Sequence, residues 1–251
     1  MSSLFHNIFY EPVLNVLGVL ILYLPGQSFG AAIIILTILI NFLLLPLTHR
    51  MKKSQQKITD IQPHLDRIKR EFKDNKEIQA KKTLELYREH GINPFSGFLL
   101  LLIQIPLFIA LFRVLQASSE SFRADLYPFL PDIPTFNPIF LGVLNLAKPN
   151  IVLAVIAGIT QFIQGSLLLP PTPKGAAAKE QNKNDFQQIM QKQMRFVMPL
   201  FVVLLGIRFP AALALYWTTL SVFGIVHESI VRRRAKGALR SNGGDHQQPK
   251  H

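Results

Sequence analysis

The sequence predicts an all-α polytopic membrane protein with five transmembrane helices and a cytoplasmic helical hairpin between spans one and two. The chain of 251 residues is 49% hydrophobic, and its apolar residues gather in long blocks from which charges are excluded. Such blocks indicate transmembrane helices, which need about 20 residues to cross a hydrocarbon core about 30 Å thick. The five predicted spans are residues 30–47, 95–115, 151–169, 196–207 and 211–231.

The distribution of positive charge predicts how the spans are oriented. Of the 27 Lys and Arg, 23 lie in residues 48–94, 170–195 and 229–251, which five crossings place on one side. The positive-inside rule makes that side cytoplasmic, which places the N-terminus outside and the C-terminus in the cytoplasm. The expected location is the cell membrane (the inner or plasma membrane), which the chain crosses several times. The competing interpretation of the +12 net charge is nucleic-acid binding. Because loop asymmetry accounts for the charge, no specific nucleic-acid sequence is expected as a partner.

Residues 1–29 are predicted to form an outer interfacial helix and a leader into span one. The stretch "NIFYEPVLNVLGVLILYLPGQ" has Glu11 and Pro12 ahead of a short apolar run, a length that suits a helix lying on the membrane surface. If residues 8–24 cross instead, the protein has six spans and an inside N-terminus.

The charged segment after span one, about residues 51–92, predicts the helical hairpin. Its apolar residues recur at helical spacing on both sides of the polar turn "KDNK". The first stripe is Ile58, Ile61, Leu65, Ile68 and Phe72, and Ile78, Leu84 and Tyr87 continue it. Two antiparallel helices facing each other explain both stripes, with Pro63 marking a helix start or bend.

The remaining connections complete a core of residues 30–232. The outer loop, about residues 116–150, is rich in Pro and aromatics and predicts short interfacial turns. The inner loop "PPTPKGAAAKEQNKNDFQQ" is polar and of low complexity, which predicts mobility. "GIRFPAA" predicts a tight turn between spans four and five. Residues 233–251 form a basic cytoplasmic tail.

The residue types in the spans disfavour enzymatic chemistry. The spans hold no Asp or Glu apart from Glu228, and the chain has no Cys, HExxH, Walker or GxGxxG motif. Intramembrane proteolysis, proton-driven transport and nucleotide-driven transport are therefore disfavoured. His49 and His227 are interpreted as interface residues. We expect no enzyme activity, no cofactor and no metal site.

What the spans do contain is a set of uncharged polar residues, at positions 37, 41, 104, 161, 164, 218, 219 and 221. With about 1.5 Å of rise per residue, Asn41 and Gln164 lie roughly 10 Å from the cytoplasmic end, Gln104 roughly 15 Å and Thr219 roughly 18 Å. A buried amide without a partner costs several kcal/mol in hydrocarbon. These groups therefore either hydrogen-bond between helices or line a wet cavity, and residue types alone leave both open.

Three stretches resemble the YidC/Oxa/Alb family of membrane insertases. They are "PLTHRMKKSQQKITDIQPHLDRIKREFKDNKE", "YREHGINPFSGFLLLLIQIPLFIALFRVL" and "MRFVMPLFVVLLGIRFPAALALYW", and the resemblance covers about residues 30–232. It implies a minimal, bacterial-type insertase: a five-span core around a hydrophilic groove open to the cytoplasm and to lipid. The groove would receive the polar tail of a client while the client's apolar segment moves into the bilayer.

The resemblance assigns the groove to the polar residues of the spans. The implied groove and client-binding residues are Asn41, Thr37, Gln104, Gln161, Gln164, Trp217, Thr219 and Ser221. Bacterial members typically carry an arginine six residues before the Leu of "PLT", a position that is Asn41 here. The resemblance implies that this arginine attracts acidic client tails by its charge. Because Asn carries no charge, that attraction is open for this chain. Arg113 and Arg208, at outer span ends, are expected to snorkel rather than replace it.

The implied partners are client membrane proteins and the lipid bilayer, with the Sec translocon and the ribosome as further candidates. A cytoplasmic anchor and ribosome contact is assigned to the polybasic residues Arg232, Arg233, Arg234 and Lys236, because such segments bind anionic headgroups and RNA. Two other functions stay open: a non-inserting assembly chaperone for membrane complexes, and a small-solute transporter. No internal repeat supports the transporter.

Overall fold

The computed structural model describes residues 3–93, 96–116, 119–131, 137–168 and 193–243. Its helices are α1 (Ser3–Tyr23), α2 (Phe29–Asp60), α3 (Gln62–Glu71), α4 (Lys76–Glu89), α5 (Ser96–Gln116), α6 (Ser119–Ala124), α7 (Ile151–Leu168), α8 (Met198–Arg208) and α9 (Ala211–Gly243). The strands of the described ranges are β1 (Ile139–Phe140) and β2 (Leu144–Asn145). The mostly helical fold is confirmed.

The chain forms two compact units. The first comprises Met1–Val16 and Ile40–Pro128, and the second Leu17–Leu39 and Phe129–His251. The described ranges contain π-helical turns at His6–Tyr10, inside α1, and at Gln193–Val197, directly before α8.

Within the first unit, α3 and α4 pack against each other. Ile61 and Leu65 share a buried cluster with Leu86 and Ile92, as the spacing of the first stripe predicts. Asn75 caps α4 by accepting a hydrogen bond from the Ile78 backbone N–H at 3.1 Å, since its side-chain oxygen satisfies an otherwise unpaired helix donor.

One detail of the predicted hairpin is wrong. Ile78 and Leu84 lie outside the buried cluster and are 40% and 49% exposed, because the cluster needs only the α4 face that carries Leu86. The helix that begins in span one continues to Asp60, so residues 51–60 of the predicted hairpin segment belong to α2. Pro63 does mark a helix start, in the first turn of α3.

Helix α2 runs through Pro46 without a break, and α5 likewise contains Pro106. A proline removes one backbone donor and clashes with the preceding turn. Apolar membrane helices tolerate this because neighbouring groups satisfy the freed carbonyl. Pro46 therefore does not end α2.

In the second unit, α7 packs against both α8 and α9, and α8 also contacts α9. The close approach of α8 to α7 depends on small side chains. A Cβ placed on Gly206 would lie 2.7 Å from the Ala154 Cβ and 3.0 Å from its Cα. The tight turn predicted from "GIRFPAA" is present, since α8 ends at Arg208 and α9 begins at Ala211.

By length and composition, two helices among the described residues could cross a membrane: Ser3–Tyr23 and Phe29–Arg50. Gln104–Gln116 and Ile151–Leu167 are apolar but shorter. The count of five spans and the cytoplasmic side of the hairpin stay predictions. The inner loop predicted to be mobile, residues 170–188, lies outside the described residues.

Candidate functional site

The best-defined polar contact between predicted spans joins α7 to α9. Ser221 has no exposed surface, and its Oγ donates a hydrogen bond to Oε1 of the partly buried Gln161 at 2.9 Å. A serine hydroxyl is a donor that an amide oxygen satisfies directly. This pair is therefore an interhelical hydrogen bond of the kind that joins membrane helices.

One helical turn further along, the same two helices meet again at Gln164 and Gly224. A Cβ on Gly224 would overlap the Gln164 amide, so the missing side chain leaves room for the glutamine against α9. Gln161 and Gln164 lie three residues apart, as do Ser221 and Gly224, which places each pair on one helix face. We call these four residues the α7–α9 seam.

The threonine hydroxyls bond to their own helices. Thr37, which is buried, donates to the Ile33 carbonyl at 2.6 Å. Thr218 donates to the Ala214 carbonyl and Thr219 to the Leu215 carbonyl, each at 2.8 Å. Such bonds to the carbonyl four residues earlier satisfy a hydroxyl without a partner helix. These three hydroxyls therefore do not by themselves require a wet cavity.

The two remaining amides belong to the first unit. Asn41 lies on α2 and Gln104 on α5, and each side chain is partly buried. An amide offers two donors and one acceptor oxygen with two lone pairs, so each side chain carries both kinds of hydrogen-bonding group. In the second unit, Trp217 is also partly buried, with its ring 6.5 Å from that of Tyr216 in an edge-on arrangement.

Of the eight polar positions assigned to a groove, the structure thus brings Gln161 and Ser221 into direct contact and sets Gln164 against the same helix. It places Thr37 and Ser221 in buried positions and Trp217 and Thr219 in partly buried ones.

Arg232, the first of the basic residues that follow the apolar part of α9, links two helices. Its Nε donates to Glu228 Oε1 at 2.9 Å, and its Nη2 donates to the Leu167 carbonyl. Leu167 lies in the last turn of α7, where carbonyls lack intrahelical partners and a cation is favourable. Arg232 therefore ties the end of α7 to α9. The side chains of Arg233, Arg234 and Lys236 lie outside the described residues.

Arg113 and Arg208 differ in their surroundings. The Arg113 guanidinium lies 5.9 Å from the centre of the Phe5 ring, a cation–π contact between α5 and α1. Arg208 is exposed in the last turn of α8.

Sequence reasoning missed Asn15, which is only 2% exposed. Its Nδ2 donates to the Glu11 carbonyl at 2.8 Å and to the Asp125 carbonyl at 3.2 Å, and its Oδ1 accepts from the Tyr127 N–H at 2.7 Å. This side chain clasps α1 to the segment after α6. The signal was a lone amide in "EPVLNVLGVLIL", the same kind of signal that Asn41 gives.

Within the described ranges, no three His, Asp or Glu side chains come close enough to hold a metal ion.

Comparison with known proteins identifies the family. The family model described as 60Kd inner membrane protein matches residues 21–238. The chain belongs to this family. One relative is the membrane protein insertase YidC of Fusobacterium nucleatum subsp. nucleatum. It is 33% identical over 207 residues, which cover 82% of this chain and 87% of that protein. The membrane protein insertase YidC of Pelobacter propionicus is 32% identical over 206 residues, 82% of this chain but 35% of that protein.

The fold comparison agrees with the family assignment. A crystal structure of an active YidC insertase with its first transmembrane domain resolved matches with a TM-score of 0.56 and 25% identity, over 90% of this chain and 46% of that one. The chain therefore spans most of the Fusobacterium relative but only 35% of the Pelobacter relative and 46% of the solved structure.

Proposed function

We propose that this chain is a membrane protein insertase and chaperone. It receives the polar tails of client proteins in a cytoplasm-facing hydrophilic groove and releases their transmembrane segments into the bilayer. The observation that carries the proposal is the family match over residues 21–238, with relatives named membrane protein insertase. The process is a transfer between solvents rather than a reaction, so it needs no catalytic residue and no cofactor. Its partners are client membrane proteins and lipid.

The polar residues of the predicted spans support a groove on energetic grounds. A client tail crossing hydrocarbon leaves each backbone polar group unsatisfied, at several kcal/mol per group. Amides such as Asn41, Gln104 and Gln164 offer donors and acceptors that replace water along part of that path. Hydration of the same side chains shortens the apolar distance that remains.

Asn41 makes this groove electrostatically different from one with an arginine. An arginine attracts an acidic tail by charge, whereas an amide can only hydrogen-bond. We therefore propose that this protein discriminates less between acidic and neutral client tails than relatives with the arginine do.

We further propose that the N-terminus is outside and that α1 lies along the outer surface, leaving residues 30–232 as the five-span core. Two contacts support the position of α1. Asn15 in α1 bonds to Asp125 and Tyr127, and Ser28, the residue before α2, pairs with Asn137. These three partners all belong to the loop between spans two and three. Contacts from both regions to one loop favour a helix on that side of the membrane.

The α3–α4 hairpin and the basic tail of residues 233–251 are proposed to lie in the cytoplasm, where they meet clients, the Sec translocon or the ribosome. Because Arg232 is bonded to Glu228 and to the end of α7, we assign ribosome contact to Arg233, Arg234 and Lys236 and the anchoring role to Arg232.

A non-inserting assembly chaperone is the second candidate, and the α7–α9 seam favours it. Ser221 and Gln161 satisfy each other, so their polarity is explained by helix packing alone. A protein of this kind would hold client helices against its exterior faces.

Reconstitution tests the proposal. The purified protein in vesicles without Sec components should insert a single-span client with a short acidic outer tail, scored by protease protection of that tail. Asn41→Leu should lower the inserted fraction, and Asn41→Arg should preserve or raise it. Phe42→Leu, at the exposed neighbouring position of α2, is the control. Equal insertion by wild type and Asn41→Leu contradicts a client-binding role for Asn41.

Crosslinking separates the two candidates. The chain has no cysteine, so Asn41→Cys carries a single photocrosslinker. A crosslink to the client's polar tail during insertion supports the groove. Crosslinks to the client only from an exterior position such as Leu43, which is 77% exposed, support the assembly chaperone instead.

A further inference from the structure

The β1–β2 hairpin in the second unit ends in an apolar tip. Ile139 pairs with Asn145 and Phe140 with Leu144, and the turn residues Leu141, Gly142 and Val143 project beyond these pairs. Leu141 and Val143 are 80% and 89% exposed. Side chains at exposed hairpin tips are normally polar, because they stay in contact with water.

The backbone of the turn makes leucine an unusual choice. Leu141 has a φ of +54° and Gly142 of +75°. Two consecutive left-handed residues are usually supplied by Asn, Asp or Gly, whose backbones adopt that conformation at low cost. Glycine meets this requirement at position 142, but leucine does not at 141. The turn therefore presents an apolar side chain where a small polar one would form the turn more easily.

The base of the hairpin is fixed to the helices around it. The Phe140 ring packs so closely on Gly30 that a Cβ there would overlap it. Leu146 has no exposed surface, and its carbonyl accepts a hydrogen bond from the Ala212 N–H at 3.0 Å. The Ala211 N–H bonds to the Lys148 carbonyl at 2.9 Å. The base of the hairpin is thus held beside the first turns of α2 and α9, and the tip extends from it.

The surroundings of the tip match a lipid surface. Residues 137–150 contain no Asp or Glu, and Lys148 is exposed. A few residues later α7 begins with Ile151 and Val152, both mostly exposed, and its exposed apolar stripe continues through Val155, Ile156 and Ile159. The apolar tip is therefore close in the chain to a helix face that hydrocarbon covers in a membrane.

We propose that the Leu141–Val143 tip enters the boundary between headgroups and acyl chains, while Lys148 contacts lipid phosphate. Two residues beyond Phe140 extend about 7 Å, comparable to the roughly 5–10 Å by which interfacial segments enter this boundary. Lipid is the occupant because the patch is apolar, basic at its margin and continuous with α7. The leaflet is the outer one if the orientation proposed above holds. The tip then anchors the outer ends of spans one and five.

Fluorescence quenching tests this inference independently of insertion activity. Leu141→Cys and Val143→Cys are each labelled with the dye NBD in the otherwise cysteine-free chain and reconstituted into vesicles of phosphatidylethanolamine and phosphatidylglycerol. Phospholipids carry a doxyl quencher near the headgroup end or near the methyl end of the acyl chain. Ala80→Cys, exposed on α4, is the aqueous control, and Val155→Cys, exposed on α7, is the lipid control.

We expect blue-shifted emission at 141 and 143 relative to 80, and stronger quenching by the shallow than by the deep doxyl group. Lys148→Glu should reduce the shallow quenching more strongly in these anionic vesicles than in vesicles of phosphatidylcholine, whose phosphate is balanced by choline. Emission as red as that of Ala80→Cys overturns the inference. So does blue-shifted emission without lipid quenching, which would mean that a protein or a second copy covers the tip. Reduction of the dye by external dithionite in right-side-out vesicles reports the leaflet.

Discussion

Removing the Ser221 hydroxyl should weaken the packing of α7 against α9. Ser221→Ala deletes the donor to Gln161 Oε1, which lies 2.9 Å away, and leaves a partly buried acceptor unsatisfied. A neutral hydrogen bond contributes about 1 kcal/mol net, and measured couplings between membrane helices average about 0.6 and reach about 1.7 kcal/mol. We expect a loss near 1 kcal/mol in the free energy of unfolding, about fivefold in the folded-to-unfolded ratio.

A double-mutant cycle isolates the pair from the rest of each substitution. Ser221→Ala, Gln161→Leu and the double variant are compared by steric trapping in bicelles, using two engineered surface cysteines in this cysteine-free chain. The coupling energy should be close to the average value of about 0.6 kcal/mol. Gln161→Leu should be the milder single change, because a serine can redirect its hydroxyl to the carbonyl four residues earlier.

Thr218→Val is the matched control on the same helix. Its hydroxyl bonds to the Ala214 carbonyl of α9 itself, so its removal does not unlink two helices, and we expect a smaller loss than for Ser221→Ala. A coupling energy indistinguishable from zero, or an equal loss for Thr218→Val, refutes the reasoning that the α7–α9 seam is held by this hydrogen bond.

Three further changes test other parts of the structure. Gly206→Val should lower the free energy of unfolding by about 1–3 kcal/mol through overpacking, because even a Cβ there meets Ala154 at 2.7 Å. Thermal unfolding in detergent measures the loss, and an unchanged midpoint contradicts the close approach of α8 to α7. Asn15→Leu should cost about 1–3 kcal/mol by leaving buried backbone groups unsatisfied, with faster hydrogen exchange at residues 125–127; unchanged exchange there contradicts the clasp. The Lys82 ammonium, 2.8 Å from the Glu85 carboxylate, lowers the pKa of Glu85 mainly through their hydrogen bond, so the pair persists until the pH falls through that lowered pKa. Lys82→Gln should raise the Glu85 pKa towards its ordinary value in a carboxyl NMR titration, and an unmoved pKa contradicts the contact.

The sequence predicted the helical class, the first apolar stripe of the hairpin and the turn between α8 and α9, because hydrophobic periodicity and Pro placement report on local structure. It did not predict which polar groups pair. Nothing local distinguishes Ser221, which bonds across to Gln161, from Thr219, which bonds to its own helix. Helix rotation decides that choice.

Long-range contacts escaped the sequence for the same reason. Asn15 and the residues after α6 are more than a hundred positions apart, and only the folded chain brings them together. The exposure of Leu84 was also unpredictable from spacing, because an apolar stripe on one helix does not say how much of that stripe the facing helix covers. Whether the eight polar positions form a groove stays a prediction.

The continuity of α2 has a mechanical consequence. Its 32 residues from Phe29 to Asp60 make a rod about 48 Å long, whereas the hydrocarbon core is about 30 Å thick. If α2 crosses a bilayer, as its length and composition allow, roughly 18 Å of the same rod projects beyond the hydrocarbon core, and one residue separates its end from α3. Asn41 and the residues that meet the hairpin at Ile61 lie on one continuous helix, so a displacement of the Asp60 end of α2 moves that amide as well.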